Sequence, residues 1–228
     1  MPPVDAPNSQ SKPVPVVPVP VVVAMLKAPR AGMVKTRLAH SLGAPAATAI
    51  YRQLVEHQLR ELPPTWPLEI HFAPAEAAAD MRAWLGSRPH YEAQQGDDLG
   101  ARLLAATASA FGRGARRVIV IGGDCPGLTR DLLEAAAAAA ASADVVLGPA
   151  ADGGYYLIGL RGPQPMLFTD IPWSTPDVFA ITCQRVRAAG LALATLPVRE
   201  DVDDLATWQR QAHLLDPAIA RPTSANSR

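Results

Sequence analysis

Two aspartates, Asp124 and Asp152, lie in glycine-rich turns that follow short apolar segments of the sequence. Val118–Ile121 consists of four apolar residues, which predicts a strand buried on both faces. Gly122 and Gly123 end this strand, so Asp124 is predicted at the carboxyl end of a central strand, where open α/β sheets bind their ligands. Two carboxylates in two such turns indicate a site for a divalent metal or a polar substrate.

A third acidic group follows the last predicted strand, residues 191–196. Its members are Glu200, Asp201, Asp203 and Asp204. Acidic residues in this arrangement often mark only the beginning of a helix. Because they again follow a strand, they are also candidates for the same edge of the sheet as the other two aspartates.

A basic loop follows the first predicted strand, residues 20–26. Four cations and a glycine lie within its eleven residues: Lys27, Arg30, Gly32, Lys35 and Arg37. Such a loop between a strand and a helix suits phosphate groups, since backbone N–H groups and the helix dipole add to the side-chain charge. The spacing matches neither the Walker loop nor the dinucleotide fingerprint. The alternative is a solvent-exposed basic loop without a ligand.

The segments that must position these loops alternate between strands and helices. The remaining strands are predicted at residues 68–72, 91–94, 144–149 and 155–160. Helices are predicted at residues 45–62, 74–85, 130–143, 176–189 and 205–215, and a further helix begins after an acidic cap near residue 98. This order predicts one domain with a three-layer α/β fold around a mostly parallel sheet, with one reversed strand after Asp152.

The composition restricts the class of protein. The 228 residues contain 21 Lys and Arg against 21 Asp and Glu, so the net charge is zero and a nucleic-acid partner is not expected. Cys125 and Cys183 form neither a disulfide framework nor a zinc pattern, and no His adjoins Cys125 to make it a nucleophile. We find no signal peptide or membrane span, which predicts a cytoplasmic protein. Residues 1–18 and 217–228 are predicted to be disordered tails around a domain of residues 19–216.

Six motifs follow one another along the predicted domain. They read Lys27-Ala-Pro-Arg30-x-Gly32-x-Val-Lys35-Thr-Arg37-Leu, Gln95-Gly96-Asp-Asp-Leu-Gly100-x-Arg102, Gly123-Asp124-Cys-Pro-Gly-Leu, Gly148-Pro-x-x-Asp152-Gly153-Gly154-Tyr-Tyr156, Ile171-Pro-Trp173-Ser174-Thr175 and Asp201-Val-Asp203. Together they resemble the bacterial radical-SAM/selenodomain-associated transferases, a branch of the GT-A nucleotide-diphospho-sugar transferase superfamily. Two positions depart from that pattern: Ala31 stands where proline is common, and Gly123 stands where a small hydroxyl residue is common.

The resemblance implies a GT-A-like, Rossmann-like fold and a metal-dependent transferase. It implies Asp124 as one ligand of Mg²⁺ or Mn²⁺, with Asp201 or Asp203 as the second. Asp152 would contact the acceptor or act as its general base. The nucleotide and its phosphates are assigned to Lys27, Arg30, Gly32, Lys35, Arg37, Gln95, Gly96 and Arg102. The remaining substrate contacts are assigned to Gly153, Gly154, Trp173, Ser174 and Thr175.

Three functions are compatible with these assignments. The first is glycosyl transfer from a nucleotide-diphosphate sugar to a small-molecule acceptor. The second is nucleotidyl transfer from a nucleoside triphosphate with release of pyrophosphate, because the basic loop is also similar to that of guanylyltransferases acting on phospholactate or phosphoenolpyruvate. The third is nucleotide binding without catalysis, against which the set of strand-end aspartates argues.

Overall fold

The computed structural model describes residues 19–215, and the two predicted tails lie outside the described residues. Its strands are β1 Val21–Lys27, β2 Leu68–Ala73, β3 His90–Ala93, β4 Val118–Ile121, β5 Val145–Pro149, β6 Tyr155–Leu160 and β7 Leu193–Thr195. They form one sheet in the order β3-β2-β1-β4-β6-β5-β7. Strand β6 is antiparallel to β4 and β5, and the other neighbours are parallel. The prediction of a mostly parallel sheet with one reversed strand is confirmed.

The helices cover both faces of this sheet and complete three layers. They are α1 Thr36–Leu42, α2 Ala44–Glu61, α3 Ala78–Leu85, α4 Leu99–Gly112, α5 Arg130–Ala139, α6 Val178–Ala188 and α7 Leu205–Gln211. One face packs against α2, α3 and α5, and the other packs against α4 and α6. The side chains of β1 alternate between the two faces of the sheet, so Val22 packs into the hydrophobic core on one face and Val23 into the core on the other. No helix between residues 19 and 215 is long and apolar enough to cross a membrane.

Several element boundaries differ from the sequence prediction. The helix predicted to begin at Pro176 begins at Val178, because the Thr175 hydroxyl donates to the Pro172 carbonyl at 2.8 Å and does not cap the helix. The alanine-rich helix is capped by Thr129 as predicted but ends at Ala139. Residues 75–77 form a separate 3₁₀ turn before α3, and β7 is three residues shorter than predicted.

The topology brings four loops to one edge of the sheet. Strands β1, β4, β5 and β7 point in the same direction, so the loops after them meet at their carboxyl ends. The loop after β7 is attached to its neighbours by backbone hydrogen bonds. Val202 N donates to Asp124 O at 2.8 Å, and Ala151 N donates to Arg199 O at 2.8 Å. The carboxylates of three loops are thereby fixed relative to one another.

A cluster of ion pairs away from these loops connects β2 and the edge strand β3 to the end of helix α4. Arg113 bridges Glu69 at 2.5 Å and Glu92 at 2.8 Å, and His71 lies 3.4 Å from Glu69. Burial opposes ionisation of Glu69, but the hydrogen bonds from His71 and Arg113 outweigh it and hold the pKa of Glu69 below its usual value. The ionised form of Glu69 therefore stabilises the folded protein.

This cluster predicts a loss of stability in acid. A carboxylate with a lowered pKa in the folded state stabilises the protein above its unfolded pKa, about 4.3, and loses this contribution as pH falls further. The Glu69→Gln variant should therefore lose stability at pH 7 and show a smaller further loss on acidification than the wild type. Urea denaturation at several pH values measures both effects. Glu134→Gln, at an exposed position of α5, is the control and should follow the wild type.

Candidate active site

A cavity of about 790 Å³ lies at the edge where the four loops meet. It contains most of the residues that the sequence assigned to a site. Those that line it are Lys27, Lys35, Arg37, Asp124, Asp152, Gly154, Trp173, Ser174, Thr175, Asp201 and Asp203. The strands thus bring together side chains that are up to 176 residues apart in sequence, from Lys27 to Asp203. The concave, polar site resembles the ligand sites of other open α/β sheets.

Lys35 joins two of the predicted metal ligands. Its ammonium group donates to Asp124 Oδ2 at 2.9 Å and to Asp203 Oδ1 at 3.2 Å. The Lys35 side chain is only 7% exposed. Burial disfavours the charged form, but the charges of Asp124 and Asp203 outweigh burial and raise the pKa of Lys35. The lysine is a charged, buried bridge between the loops after β4 and β7.

Asp201 is the most buried of the three aspartates in the acidic group, Asp201, Asp203 and Asp204. Its Oδ1 is buried and has no hydrogen-bond partner among residues 19–215. Burial, followed by the negative charge of Asp124, raises the pKa of Asp201 to about 8. An unpaired buried carboxylate oxygen is costly unless a proton or a cation satisfies it. The neighbourhood of Asp201 is therefore short of positive charge.

The carboxylates fit a hard divalent cation that takes few ligands from the protein. Asp124, Asp201 and Asp203 supply only oxygen donors, which Mg²⁺ and Mn²⁺ prefer. Within residues 19–215, no group of three or more His, Cys, Asp or Glu side chains has a geometry that could hold a metal ion. Mg²⁺ commonly uses one or two carboxylates together with phosphate oxygens and water. The unpartnered oxygen of Asp201 agrees with such an incomplete protein site.

The basic loop contains residues that line the cavity and two assigned residues that do not. Arg37 lines the cavity, is 78% exposed and lies 3.7 Å from Asp203. Arg30 points away from it and pairs with Glu76 at 2.9 Å and Asp80 at 3.2 Å. Gly32 has a φ of +79°, which gives the loop its turn, but it is not among the residues that line the cavity.

The predicted nucleotide residues of the second motif also lie away from the cavity. Gln95 donates to the Ala93 carbonyl, and Arg102 donates to the Gly96 carbonyl at 2.9 Å. Asp98 accepts from the Ala101 N–H and caps α4, so the acidic cap predicted near residue 98 is present. The part of this motif that reaches the cavity is Leu99.

Asp152 stands at the cavity on a turn shaped by two glycines. Its Oδ1 accepts from Gly154 N at 2.9 Å, and the residue also lines a smaller neighbouring cavity of about 260 Å³. Gly153 has a φ of +92°, and its carbonyl accepts from Phe179 N at 2.9 Å. Gly153 therefore attaches the turn to the start of α6 and does not line either cavity.

Trp173 forms part of the cavity wall in a fixed position. Its ring meets that of Tyr155 edge-on, with centroids 6.2 Å apart. Gly100 provides the space for it, since a Cβ at Gly100 would meet Trp173 Cε2 at 3.2 Å. Ser174 has a φ of +65°, an uncommon conformation for a residue other than glycine. The loop of Trp173, Ser174 and Thr175 is thus packed against α4 at one wall of the cavity.

Sequence reasoning missed two residues of α2 that support the end of β1 and the loop after β4. The Tyr51 hydroxyl lines the cavity, accepts from Lys27 N at 2.9 Å and donates to Lys27 O. Gln58 Oε1 accepts from Cys125 N at 3.3 Å. Cys125 itself is buried, and burial raises the pKa of its thiol, which disfavours the thiolate that a nucleophile needs. The helical spacing of apolar residues in α2 predicted which face of the helix is buried, but it did not predict these hydrogen bonds.

The packing around Gly123 explains why glycine stands before Asp124, where a small hydroxyl residue is expected. A Cβ at this position would lie 2.8 Å from both Leu26 Cδ2 and Val55 Cγ2. These side chains belong to the core between β1 and α2, where atoms cannot shift freely. The close packing of β1 on α2 accounts for glycine at this position.

Comparison with known proteins agrees with this fold and site. The family model DUF2064, described as an uncharacterized protein conserved in bacteria, matches residues 58–175, just over half of the chain. The chain belongs to the DUF2064 family. A crystal structure from Desulfovibrio desulfuricans G20, described as a "putative nucleotide-diphospho-sugar transferase", is 37% identical with a TM-score of 0.77, over 81% of this chain and 82% of that one.

Two more distant structures share the fold of this DUF2064 protein. Rv0371c of Mycobacterium tuberculosis H37Rv, in complex with manganese, is 18% identical with a TM-score of 0.52, over 85% of this chain and 98% of that one. A nucleotidyl transferase from Methanothermobacter thermautotroptrophicus is 16% identical with a TM-score of 0.54, over 85% and 97% of the two chains. No curated protein sequence matched. The predicted nucleotide-diphospho-sugar transferase fold is confirmed.

Proposed function

We propose that this DUF2064 protein transfers a glycosyl group from a nucleotide-diphosphate sugar to a small-molecule acceptor, with Mg²⁺ or Mn²⁺ as cofactor. The observation that carries the proposal is the meeting of Asp124, Asp201 and Asp203 with Lys35 and Arg37 in one cavity. Cations and a metal site side by side suit a diphosphate, whose charge increases as it leaves. The 37% identical relative described as a "putative nucleotide-diphospho-sugar transferase" supports the choice of donor.

The residues divide the work of the proposed reaction. Lys27, Lys35 and Arg37 bind the diphosphate, and Asp124 with Asp201 or Asp203 holds the cation. When bound there, the cation supplies Lewis-acid stabilisation of the leaving diphosphate.

Asp152 acts on the acceptor in this proposal. It accepts the proton of the acceptor hydroxyl while the acceptor oxygen bonds to the sugar carbon and the diphosphate departs with the electron pair. Its place in both cavities supports a position between donor and acceptor.

Nucleotidyl transfer is the second candidate. Three cations of one loop line the cavity, Lys27, Lys35 and Arg37, and their charge also suits a triphosphate. The fold is shared with a nucleotidyl transferase, though at 16% identity this likeness concerns the fold alone.

The association with radical-SAM and selenodomain proteins is a prediction from the sequence motifs.

The released product distinguishes the two reactions. We expect slow formation of nucleoside diphosphate from one of UDP-glucose, GDP-mannose, ADP-glucose or dTDP-glucose with Mn²⁺, because water replaces the missing acceptor at the sugar carbon. A thermal-shift screen with the same compounds selects the donor, since a ligand that binds the native state raises its melting temperature. Pyrophosphate release from a nucleoside triphosphate and a sugar phosphate or phospho-acid, without diphosphate from any sugar donor, would assign nucleotidyl transfer instead.

The two arginines of the basic loop provide a test of phosphate binding. Arg37→Ala should weaken binding of the selected nucleotide by about tenfold or more, as expected for losing one charge-assisted hydrogen bond. Its melting temperature should change little because the side chain is 78% exposed. Arg30→Ala removes the same charge from the same loop, but Arg30 faces Glu76 and Asp80. Calorimetric titration should show nearly wild-type affinity for Arg30→Ala; equal losses in both variants would contradict the assignment.

A further inference from the structure

Lys35 occupies an unusual place for a phosphate-binding lysine. Its ammonium group is directed at Asp124 and Asp203, two of the residues assigned to the metal, and is almost fully buried there. Each contact is a charge-assisted hydrogen bond, which is stronger than a neutral one. Lys35 thus supplies these two carboxylates with the positive charge that a metal ion would otherwise bring.

The backbone holds Lys35 in this place. Its φ of 47° and ψ of 49° are left-handed, a conformation that is disfavoured for a residue other than glycine. Its carbonyl accepts from Ala39 N at 2.8 Å, so the residue also begins helix α1. Two positions further along, Arg37 remains exposed. The loop therefore directs one cation inward to the carboxylates and leaves another exposed to solvent at the cavity.

We propose that Lys35 is a positioning residue that holds Asp124 and Asp203 together as an internal cation, and that a divalent metal displaces it efficiently only when phosphate arrives with the metal. The displaced ammonium then pairs with the phosphate. This inference rests on the proposed function for its use of metal and diphosphate. It adds an order of binding: metal alone competes with Lys35, whereas phosphate gives the ammonium a new partner. By linkage, metal and diphosphate each raise the affinity for the other by the same factor.

Titration with Mn²⁺ alone, followed by electron paramagnetic resonance, tests the competition. Lys35→Met removes the charge but keeps much of the side-chain volume, and should bind Mn²⁺ at least tenfold more tightly than the wild type. Lys35→Arg keeps the charge and should bind Mn²⁺ as weakly as the wild type. Arg30→Met removes a cation of the same loop that pairs with Glu76 and Asp80 instead of these carboxylates, so its affinity for Mn²⁺ should change less than threefold. Circular dichroism and melting curves verify the fold of each variant.

The wild-type protein permits a second measurement that requires no substitution. The sequence contains three lysines, Lys12, Lys27 and Lys35, so ¹⁵N-lysine labelling gives three ammonium signals. We expect the Lys35 signal to be protected from exchange with water, to persist with Mg²⁺ alone, and to shift when inorganic pyrophosphate is added with Mg²⁺. Pyrophosphate serves as the probe because both candidate reactions use its diphosphate group. Lys35→Met identifies the signal by its disappearance.

The outcomes separate this inference from the proposed function. Wild-type protein that binds Mn²⁺ alone as tightly as Lys35→Met, or a Lys35 signal that Mg²⁺ alone displaces as fully as Mg²⁺ with pyrophosphate, would overturn the role of Lys35 and leave metal-dependent transfer standing. No Mn²⁺ binding by any of the four proteins, with or without pyrophosphate, would overturn both. Tighter binding by Lys35→Met together with a shift that needs pyrophosphate supports the inference.

Discussion

Asp124→Ala is expected to lower metal-dependent turnover by about a thousandfold or more while the protein remains folded, because the loss of one group that stabilises transition-state charge has effects of this order. Asp124 follows β4 directly, lines the cavity and contacts Lys35 at 2.9 Å. The backbone bond from Val202 N to Asp124 O does not depend on the side chain. The loop after β7 should therefore stay attached in the variant.

Product formation and Mn²⁺ titration measure this effect, and a urea denaturation curve checks the fold. Asp131→Asn is a suitable control, since Asp131 is exposed in the first turn of α5 and is not among the residues of either cavity. Its activity should match that of the wild type. Unchanged metal-dependent affinity in Asp124→Ala would refute the assignment of Asp124 to the metal.

Gly153→Ala is expected to be the most damaging of the conservative substitutions near the site. The φ of +92° disfavours any residue other than glycine, and an added Cβ would lie 2.6 Å from Pro176 C. Since this neighbour is backbone, α6 or the 150–154 turn must move. Left-handed strain and overpacking each cost about 1–3 kcal/mol, so we expect a loss of roughly 2–5 kcal/mol. Asp152 should also be displaced, which would reduce transfer.

A second glycine provides the control for this substitution. Gly112 lies at the end of α4, and a Cβ there would meet no atom within 4 Å. Gly112→Ala should therefore be neutral or stabilising, by up to about 1 kcal/mol from helix propensity. Denaturation midpoints for the two variants measure the difference. Equal stability of Gly153→Ala and the wild type would show that the turn adapts without strain.

Local signals explain which parts of the fold were predictable. Strand β4 is an uninterrupted apolar run, and the acids after it lie where strands of an α/β sheet present their ligands. The reversal at β6 followed from the short glycine-rich turn after Asp152, which has no room for a crossover helix. These features depend on neighbouring residues and could be inferred without tertiary contacts.

Side-chain directions within the basic loop could not be inferred in this way. Arg30 turns toward Glu76 and Asp80, which are 46 and 50 residues away in sequence. Lys35 turns toward Asp124 from a left-handed backbone conformation, which no neighbouring residue type predicts. Both choices are made by long-range ion pairs. The sequence thus identified a group of cations near the site but did not predict which of them line the cavity.

The attachment of the loop after β7 has a consequence for the order of folding. Lys35 meets Asp203 across 168 residues, and Val202 N closes onto Asp124 across a separation of 78. Closing loops of this length costs chain entropy and slows folding. During synthesis the basic loop and Asp124 emerge well before Asp203. We therefore expect the cluster of Lys35, Asp124 and Asp203 to be completed only after the C-terminal part of the domain has folded.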